Sequence, residues 1–405
     1  MTRHPLATQQ HTAANAPRTA HASRSAAGAL IAALFIILAG SVPLRAFAQQ
    51  VEKLSPQRQA ALEDAITKFM AASKAPGVSV ALVERGQLLW SKGFGLANLE
   101  DESPATPQTL YRLGSVSKPL TATAAMQLWE RGKLDLDAPI QKYCPAFPEK
   151  PQPITTRELL GHLGGIRHYK SESPDDPEIS NTKHFDDPIA SGIQFFASDP
   201  LVAPPGTHFN YSTYGYTLVG CVIQGASGQK YASELHENVF VPAGMTSTRT
   251  DDHYAIVPHR AGFYAKDKSG AVINADFLDS SYKIPGGGWL SSAEDMGRFE
   301  SAILTGKLLQ RHTLVLMWTP QKPSDGEKDD YGLGWGLGEQ DHVVTVGHDG
   351  GQQGTSTAFV LAPAQGEGIV VLSNLQDADT VSLANDLLKI ALTTEPDKQE
   401  PMIEH

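Results

Sequence analysis

The order of strand-like and helix-like segments along the chain constrains its fold most. Runs rich in apolar and β-branched residues predict strands at 78–83, 87–94, 343–346, 355–361 and 368–372. The long central part, residues 119–292, shows mainly helical periodicity. Strands at both ends with helices between them predict an α/β (α+β) fold. In this fold both chain ends build one antiparallel sheet, helices flank the sheet, and a mostly helical region is inserted.

These patterns also predict where the parts of the chain begin and end. We expect a leader at 1–48, one large domain at 49–395 and a tail at 396–405, with sheet regions at about 52–115 and 293–395 and a helical region at about 116–292. Residues 167–200 are rich in Pro, Asp, Glu and Ser and lack sustained periodicity, so they predict a long surface excursion. That excursion is either a lid or a disordered, solvated insertion.

The first 48 residues have the order of parts that an export signal needs. Arg3, Arg18 and Arg24 lie in an acid-free stretch, an apolar run follows at 26–40, and Ala46-Phe47-Ala48 places small residues where a signal peptidase cleaves. We expect cleavage after Ala48 and a location in the periplasm or the extracellular medium. An uncleaved membrane anchor is the alternative, and it too would leave the domain outside the cytoplasm.

The net charge limits the kinds of partner. The leader carries four arginines and no acidic residue, so its removal changes the formal charge from −11 to −15. A chain this acidic lacks the basic surface that nucleic acid or anionic lipid requires. We therefore expect a small-molecule or peptide substrate, no nucleic acid and no stable membrane span after cleavage, and the oligomeric state stays open.

Only two cysteines are present. Cys144 lies in a proline-flanked loop and Cys221 lies in an apolar helical stretch. An exported protein could join them, but both positions are typical of core packing, so we expect no disulfide.

A hydroxyl and an amine three residues apart share one face of a helix, so the amine can take the hydroxyl proton. This Ser-x-x-Lys spacing occurs four times, at Ser115/Lys118, Ser180/Lys183, Ser227/Lys230 and Ser280/Lys283. Only the first pair is followed directly by a long helical pattern. Ser115 is then expected in the first turn of a buried helix, where the helix N-terminus favours developing negative charge.

Three elements in order give the chain a resemblance to the penicillin-recognising serine hydrolases, which include class C type beta-lactamases, DD-peptidases and related esterases. The elements are Ser115-Val116-Ser117-Lys118, Tyr211-Ser212-Thr213 and His348-Asp349-Gly350. Within that family the chain looks most similar to the branch of mitochondrial serine beta-lactamase-like proteins, which is regarded as peptidase-like. Phrases such as His168-Tyr169-Lys170 and Asp279-Ser280-Ser281-Tyr282-Lys283 carry that closer likeness.

The resemblance implies a role for each matching residue. Ser115 would be the nucleophile, Lys118 its proton acceptor, and Tyr211 would exchange a proton with the leaving group and the deacylating water. The backbone N–H groups of Ser115 and Gly351 would form the oxyanion hole. The residues implied in substrate binding are Thr213, His348, Asp349 and Gly350.

Two departures from the family pattern bear on the substrate. Thr213 stands where the wider family has Asn, and His348-Asp349 replaces Lys-Thr, the usual partners of a substrate carboxylate. Because a histidine is mostly uncharged above a pKa of about 6.5, we expect poor turnover of beta-lactams. Neutral or cationic amides and esters should be better substrates.

No metal or cofactor is predicted. Asp341, His342, His348 and Asp349 are of ligand type, but strand geometry puts His342 and His348 about 20 Å apart. The leading hypothesis is a peptidase or amidase. A carboxylesterase, a beta-lactamase or DD-peptidase, and a non-catalytic scaffold or self-assembling protein remain alternatives. No Gly-x-Ser-x-Gly elbow is present, which disfavours the alpha/beta-hydrolases.

Overall fold

The computed structural model describes residues 54–171, 176, 178–326 and 329–393. The predicted leader at 1–48 and the tail at 396–405 lie outside the described residues. Among the residues that are described, no helix combines the length and apolar character needed to cross a membrane.

Both ends of the chain contribute strands to one sheet. Seven strands pair in the order β3-β2-β1-β12-β11-β10-β9, and two small sheets of order β4-β8-β5 and β6-β7 accompany them. The strands are β1 Gly77–Glu84, β2 Gln87–Asn98, β3 Ser103–Pro104, β4 Tyr111–Arg112, β5 Arg249–Thr250, β6 Tyr264–Lys266, β7 Val272–Asn274, β8 Trp289–Ser291, β9 Gly336–Gln340, β10 Val343–Gln352, β11 Thr355–Ala362 and β12 Glu367–Ser373.

Every pairing within the seven-stranded sheet is antiparallel. Strand β1 lies beside β12 with Val78 opposite Ser373, which joins the first strand of the chain to the last. The hairpin between β1 and β2 turns at Arg85 and Gly86, both at positive φ, as a tight two-residue turn requires. The predicted fold, with its sheet built from both ends, is confirmed.

Helices cover both faces of this sheet and fill the inserted region. They are α1 Pro56–Ser73, α2 Ser117–Glu130, α3 Thr156–Leu160, α4 Pro188–Gln194, α5 Thr213–Ser227, α6 Tyr231–Leu235, α7 Val241–Ala243, α8 Ile284–Gly287, α9 Ala293–Leu304, α10 Arg311–Met317 and α11 Thr380–Leu392. Side chains alternate between the faces along β1. Val80 and Leu82 pack with α1 and α11, while Ala81 belongs to the larger core that includes α2, α5 and α9.

The two cysteines form a disulfide, so the expectation of unpaired core cysteines is wrong. Cys144 and Cys221 have Cα atoms 5.4 Å apart and are bonded through sulfur, which ties the loop before α3 to the middle of α5. Both side chains are buried among apolar neighbours. Burial of this kind has the same sequence pattern with or without a bond, and residues 77 positions apart give no local sign of their contact.

The described part of residues 167–200 is anchored to the rest of the protein. Arg167 forms ion pairs with Glu178 at 2.7 Å and Asp199 at 2.5 Å, and its guanidinium also donates to backbone carbonyls. Ile189 and Ile193 of α4 are buried in the main core. The disordered alternative is therefore wrong for the described residues of this segment.

Candidate active site

Ser115 lies in a short 3-10 turn, Gly114–Val116, that leads directly into α2. Gly114 has φ of 52°, and a Cβ atom there would lie 3.0 Å from the backbone nitrogen of Gly351. A glycine is needed because the backbone is left-handed and the neighbouring strand approaches closely. This turn sets Ser115 between the start of α2 and strand β10, close to the position that the sequence predicts.

Lys118 is fully buried, and three groups surround its amine. Its Nζ lies 2.9 Å from Ser115 Oγ, 2.9 Å from the carbonyl oxygen of Gly286 and 3.4 Å from Thr213 Oγ1. Burial lowers the pKa of Lys118 well below 10.5, and the charge of Lys283 lowers it further, while Asp349 acts in the opposite direction. A neutral amine has two N–H groups for Gly286 and Thr213, so its lone pair is left facing the Ser115 hydroxyl.

Tyr211 lies on the other side of this pair, two residues before α5 begins. Its side chain shares a hydrogen bond with Ser115, and Lys118 Nζ lies 4.6 Å from the centre of its ring. Burial raises the pKa of Tyr211 far above 10, so the phenol keeps its proton and can pass it on. The three residues of the predicted catalytic set are thus in mutual contact.

Two residues that sequence reasoning did not single out position Tyr211 and the start of α5. The ring of His162 packs 4.3 Å from that of Tyr211, and its Nδ1 accepts a hydrogen bond from the backbone of Ser212. His168 Nδ1 accepts from the backbone of Thr213. Burial lowers the pKa of His162 well below 6.5 and that of His168 to about 3, so both rings are neutral. His168 stood in one of the phrases that carried the family resemblance.

His348 does not present a free ring nitrogen to the site. Its Nδ1 lies 2.6 Å from the carbonyl oxygen of Asp349, which can only accept, so this nitrogen carries the proton. The other nitrogen, Nε2, then accepts from the hydroxyl of Tyr331 at 2.9 Å. Burial lowers the pKa of His348 to about 4, and the charge of Lys118 acts in the same direction. The side chain of Asp349 is exposed.

Strand β10 brings its glycines against the Ser115 turn. A Cβ atom on Gly350 would lie 2.2 Å from the carbonyl oxygen of Leu113 and 3.0 Å from the nitrogen of Ser115. Strand β9 pairs with β10 only as far as Gly347. The carbonyl oxygen of Leu113 also accepts from Thr357 Oγ1 of β11, so the turn packs against the sheet face that Gly350 and Thr357 share. The nitrogens of Ser115 and Gly351 therefore lie in neighbouring backbone segments, as an oxyanion hole would require.

A cavity of about 460 Å³ opens beside Ser115. Its lining includes the predicted residues Ser115, Thr213 and Gly351. Strand β10 lines it through Gly351 and the residues that follow, rather than through 348–350. Thr213 is only 4% exposed, and its hydroxyl bonds with Tyr169 as well as Lys118, so part of its hydrogen-bonding capacity is used by Lys118.

Lys283 is a further lining residue that the sequence did not assign to the site. It belongs to Ser280-x-x-Lys283, one of the spacings set aside because at most one pair can supply the nucleophile. The structure places this residue in the lining of the cavity, and burial lowers the pKa of Lys283 to about 7. The signal was therefore present in the sequence, but as a second lysine for the same site.

Within the described residues, one group of side chains has the composition of a metal site. His184 Nδ1 and His253 Nδ1 lie 2.9 Å and 2.5 Å from Asp279 Oδ2. These residues do not line the cavity beside Ser115. Asp279 also accepts from the backbone of Ser281 and bonds with His184, so its carboxylate links neighbouring loops.

Comparison with known proteins agrees with this geometry. The chain matches the family model described as Beta-lactamase over residues 62–393. It is 30% identical to the mitochondrial serine beta-lactamase-like protein LACTB of Homo sapiens, over 80% of this chain and 78% of that protein. The octameric penicillin-binding protein homologue from Pyrococcus abyssi superposes with a TM-score of 0.70 at 28% identity, over 85% of this chain and 80% of that one.

A D-amino acid amidase from Ochrobactrum anthropi superposes with a TM-score of 0.71, over 83% of this chain and 99% of that one. At 22% identity it shows likeness of fold alone. The matched residues 62–393 contain the Ser115 turn, Lys118, Tyr211 and strand β10. The chain therefore belongs to the beta-lactamase family of serine hydrolases, whose fold is shared by penicillin-binding proteins, amidases and esterases.

Proposed function

We propose that this protein is a peptidase or amidase that works through an acyl-enzyme on Ser115. The observation that carries the proposal is the 2.9 Å contact between Ser115 Oγ and Lys118 Nζ. Lys118 is fully buried and its pKa is lowered. Its other two partners, Gly286 and Thr213, can accept its two N–H groups, which leaves the nitrogen lone pair free for the Ser115 hydroxyl. A base held neutral beside a hydroxyl is what nucleophilic catalysis by serine needs.

Acylation begins with transfer of the Ser115 hydroxyl proton to Lys118 Nζ. The serine oxygen bonds to the substrate carbonyl carbon, and the carbonyl oxygen takes up the negative charge opposite the N–H groups of Ser115 and Gly351. Removing one such donor costs about 2.7–4 kcal/mol in a related setting. The carbon–nitrogen bond then breaks as Tyr211 gives its proton to the leaving amine, and the proton on Lys118 restores the phenol.

Deacylation reverses these roles with water as the nucleophile. Water loses a proton through Tyr211 towards Lys118, its oxygen bonds to the acyl carbon, and the Ser115 oxygen leaves and regains a proton. Tyr211 suits both halves because its raised pKa keeps it protonated between them. An amine leaving group must be protonated before it departs, whereas an ester needs this less, so a dedicated proton donor favours amides.

Among the residues implied in substrate binding, Thr213 lines the cavity and the other three lie on β10. We propose that Gly351 holds the acyl group by its backbone, that Gly350 lets β10 pack closely against the Ser115 turn, and that His348 acts as a neutral support for Tyr331 rather than as a cation. Asp349 lies near enough to raise the pKa of Lys118, so it tunes the base. A carboxylesterase is the alternative on the same residues.

We further propose that the protein is exported. The leader at 1–48 supports this, and so does the disulfide between Cys144 and Cys221, because disulfides persist in oxidising compartments. The name of the human relative places that protein in mitochondria. The compartment of this chain is therefore argued from its own leader and its own disulfide.

The test is intact mass spectrometry after exposure to a fluorophosphonate probe. We expect one adduct, located on Ser115 by peptide mapping, and none in Ser115→Ala. Turnover of an uncharged amino-acid anilide and of the matching ester then separates the two activities. No adduct on Ser115 would refute catalysis by this serine. Turnover of the ester alone would mean that the protein is an esterase rather than an amidase.

A further inference from the structure

Lys283 brings a second amine into the catalytic cavity. Its side chain is only 4% exposed, yet it lines the same cavity as Ser115, Thr213 and Gly351. Among the described residues, no hydrogen bond or ion pair engages its Nζ. The centres of the Tyr169 and Tyr282 rings lie 5.4 Å and 5.5 Å from this atom. A buried amine without a hydrogen-bonded or ion-paired partner lacks an anion to offset its charge.

The charged groups around Lys283 do not supply that partner. Arg112 and Asp251 act on it from β4 and the loop after β5, but the Asp251 carboxylate already receives the Nε–H of Arg112 at 2.7 Å. Lys283 in turn lowers the pKa of Lys118 on α2, which is another basic group. His168 is neutral, and the carboxylates of Asp276 and Asp377 line the cavity but are exposed. Among the described residues that line the cavity, the buried ones therefore include Lys283 and no carboxylate.

We propose that Lys283 binds a carboxylate of the substrate, so that the preferred substrates are amides bearing a negative charge close to the scissile bond. This rests on the proposed function, since it names the substrate class of the same site. It also replaces the expectation of neutral or cationic substrates, which considered only His348 and Asp349. The cation that would bind the substrate carboxylate is then Lys283, the residue directly before α8, instead of a residue on β10.

The same geometry gives the proposal a signed pH dependence. Burial lowers the pKa of Lys283 to about 7, so its positive charge is present below that pH and lost above it. The advantage of an anionic substrate over its neutral isostere should then fall as pH rises through about 7. Ionisation of Lys118 or Tyr211 affects both substrates alike, so it cancels in this ratio.

The experiment compares matched substrates on wild type, Lys283→Met and Lys230→Met. One pair is a succinyl-alanine anilide and its carboxamide, with the charge on the acyl side. The other is an acetyl-alanine anilide with and without a ring carboxylate, with the charge on the leaving group. Lys230 is an exposed lysine of another Ser-x-x-Lys spacing, so its variant should behave as wild type.

We expect Lys283→Met to lose about 10- to 100-fold in kcat/KM for the anionic member of at least one pair, because a hydrogen bond to a charged group is worth about 1.5–3 kcal/mol. The neutral members should lose less than this, because their loss reports only the weaker effect of Lys283 on Lys118, which both members of a pair share. An equal loss for both members would give Lys283 a positioning role and overturn the proposal, as would wild type that prefers both neutral members.

A second readout keeps this failure separate from failure of the proposed function. Phenylboronic acids add to a nucleophilic serine, and their binding shows as protection of Ser115 from the fluorophosphonate. The 3-carboxy compound should protect better than the 3-carboxamide in wild type and equally in Lys283→Met. Labelling without a carboxylate advantage overturns the anion site alone, whereas no labelling of Ser115 overturns both proposals.

Discussion

The amine of Lys118 lies 2.9 Å from the hydroxyl of Ser115 while remaining fully buried. Burial and the nearby charge of Lys283 both lower the pKa of Lys118, and the carbonyl of Gly286 fixes its position at 2.9 Å. A backbone carbonyl thus fixes the amine beside the hydroxyl, while burial and a neighbouring charge lower its pKa. This relationship leads to the first two predictions.

Ser115→Ala should abolish amide hydrolysis and leave the fold intact, because the hydroxyl serves chemistry and its loss removes little packing. Ser117→Ala is the matched control. Its hydroxyl is buried in the same turn without a hydrogen-bond partner, so that variant should keep wild-type turnover. Circular dichroism checks the fold of both. Substantial activity in Ser115→Ala with an unchanged spectrum would refute the assignment.

Lys118→Ala should lower the acylation rate by about 10²–10⁴-fold, the usual range for a general base. Lys118→Arg should not restore it, because a guanidinium does not give up its proton. The wild-type rate should rise with pH as Lys118 loses its proton, and this rise should occur well below pH 10.5. Stopped-flow kinetics across pH measures this. A loss below tenfold would assign the base role to another group.

Reducing the disulfide between Cys144 and Cys221 should destabilise the protein by about 2–5 kcal/mol, because the bond closes a long loop of the unfolded chain. Thermal unfolding with and without reductant measures the change. The double variant Cys144→Ala/Cys221→Ala should unfold at one temperature whether or not reductant is present. Two free thiols titrated in the denatured, unreduced protein would contradict the bond.

Glu300→Met should raise the unfolding temperature at neutral pH. Both oxygens of Glu300 are buried without a hydrogen-bond partner, and each such group costs about 1–3 kcal/mol. Burial raises its pKa well above 4.5, so the folded state holds a proton that the unfolded state releases. Stability from this group therefore falls as pH rises above 4.5, and the gain of the variant should be larger at pH 8 than at pH 4.

The control for this prediction is Glu237→Met, since Glu237 is exposed. Its unfolding temperature should follow the wild type across pH. Calorimetry at several pH values compares the three proteins. A Glu300→Met protein that is less stable at pH 8 would mean that the carboxylate has a stabilising partner.

Protein recovered from an export-competent bacterial host should begin at Gln49, because Ala46-Phe47-Ala48 follows the apolar run of the leader. N-terminal sequencing and intact mass measure the start. Changing Ala46 and Ala48 to bulky residues should block processing and leave a longer chain. Active, membrane-bound material that retains residues before Leu44 would favour the uncleaved anchor.

The sequence by itself determined the fold and predicted the candidate catalytic set, because both depend on local patterns. Strand-like runs at the two ends and helical periodicity between them specify which surfaces must be buried, and burying them leaves few arrangements other than one sheet covered by helices. Ser115 and Lys118 lie three residues apart, so their contact follows from the geometry of a helical turn. Tyr211 and β10 were placed by their order along the chain.

Only the tertiary structure decided which distant side chains meet. Residues from different elements meet in three places: the disulfide between Cys144 and Cys221, the hydrogen bond between His348 and Tyr331, and the cavity that Lys283 lines. Whether a polar group is charged depends on its burial and its neighbours, and neither is written in its own stretch of sequence. For that reason the charge of the cavity, and with it the proposed substrate class, could be inferred only from the tertiary structure.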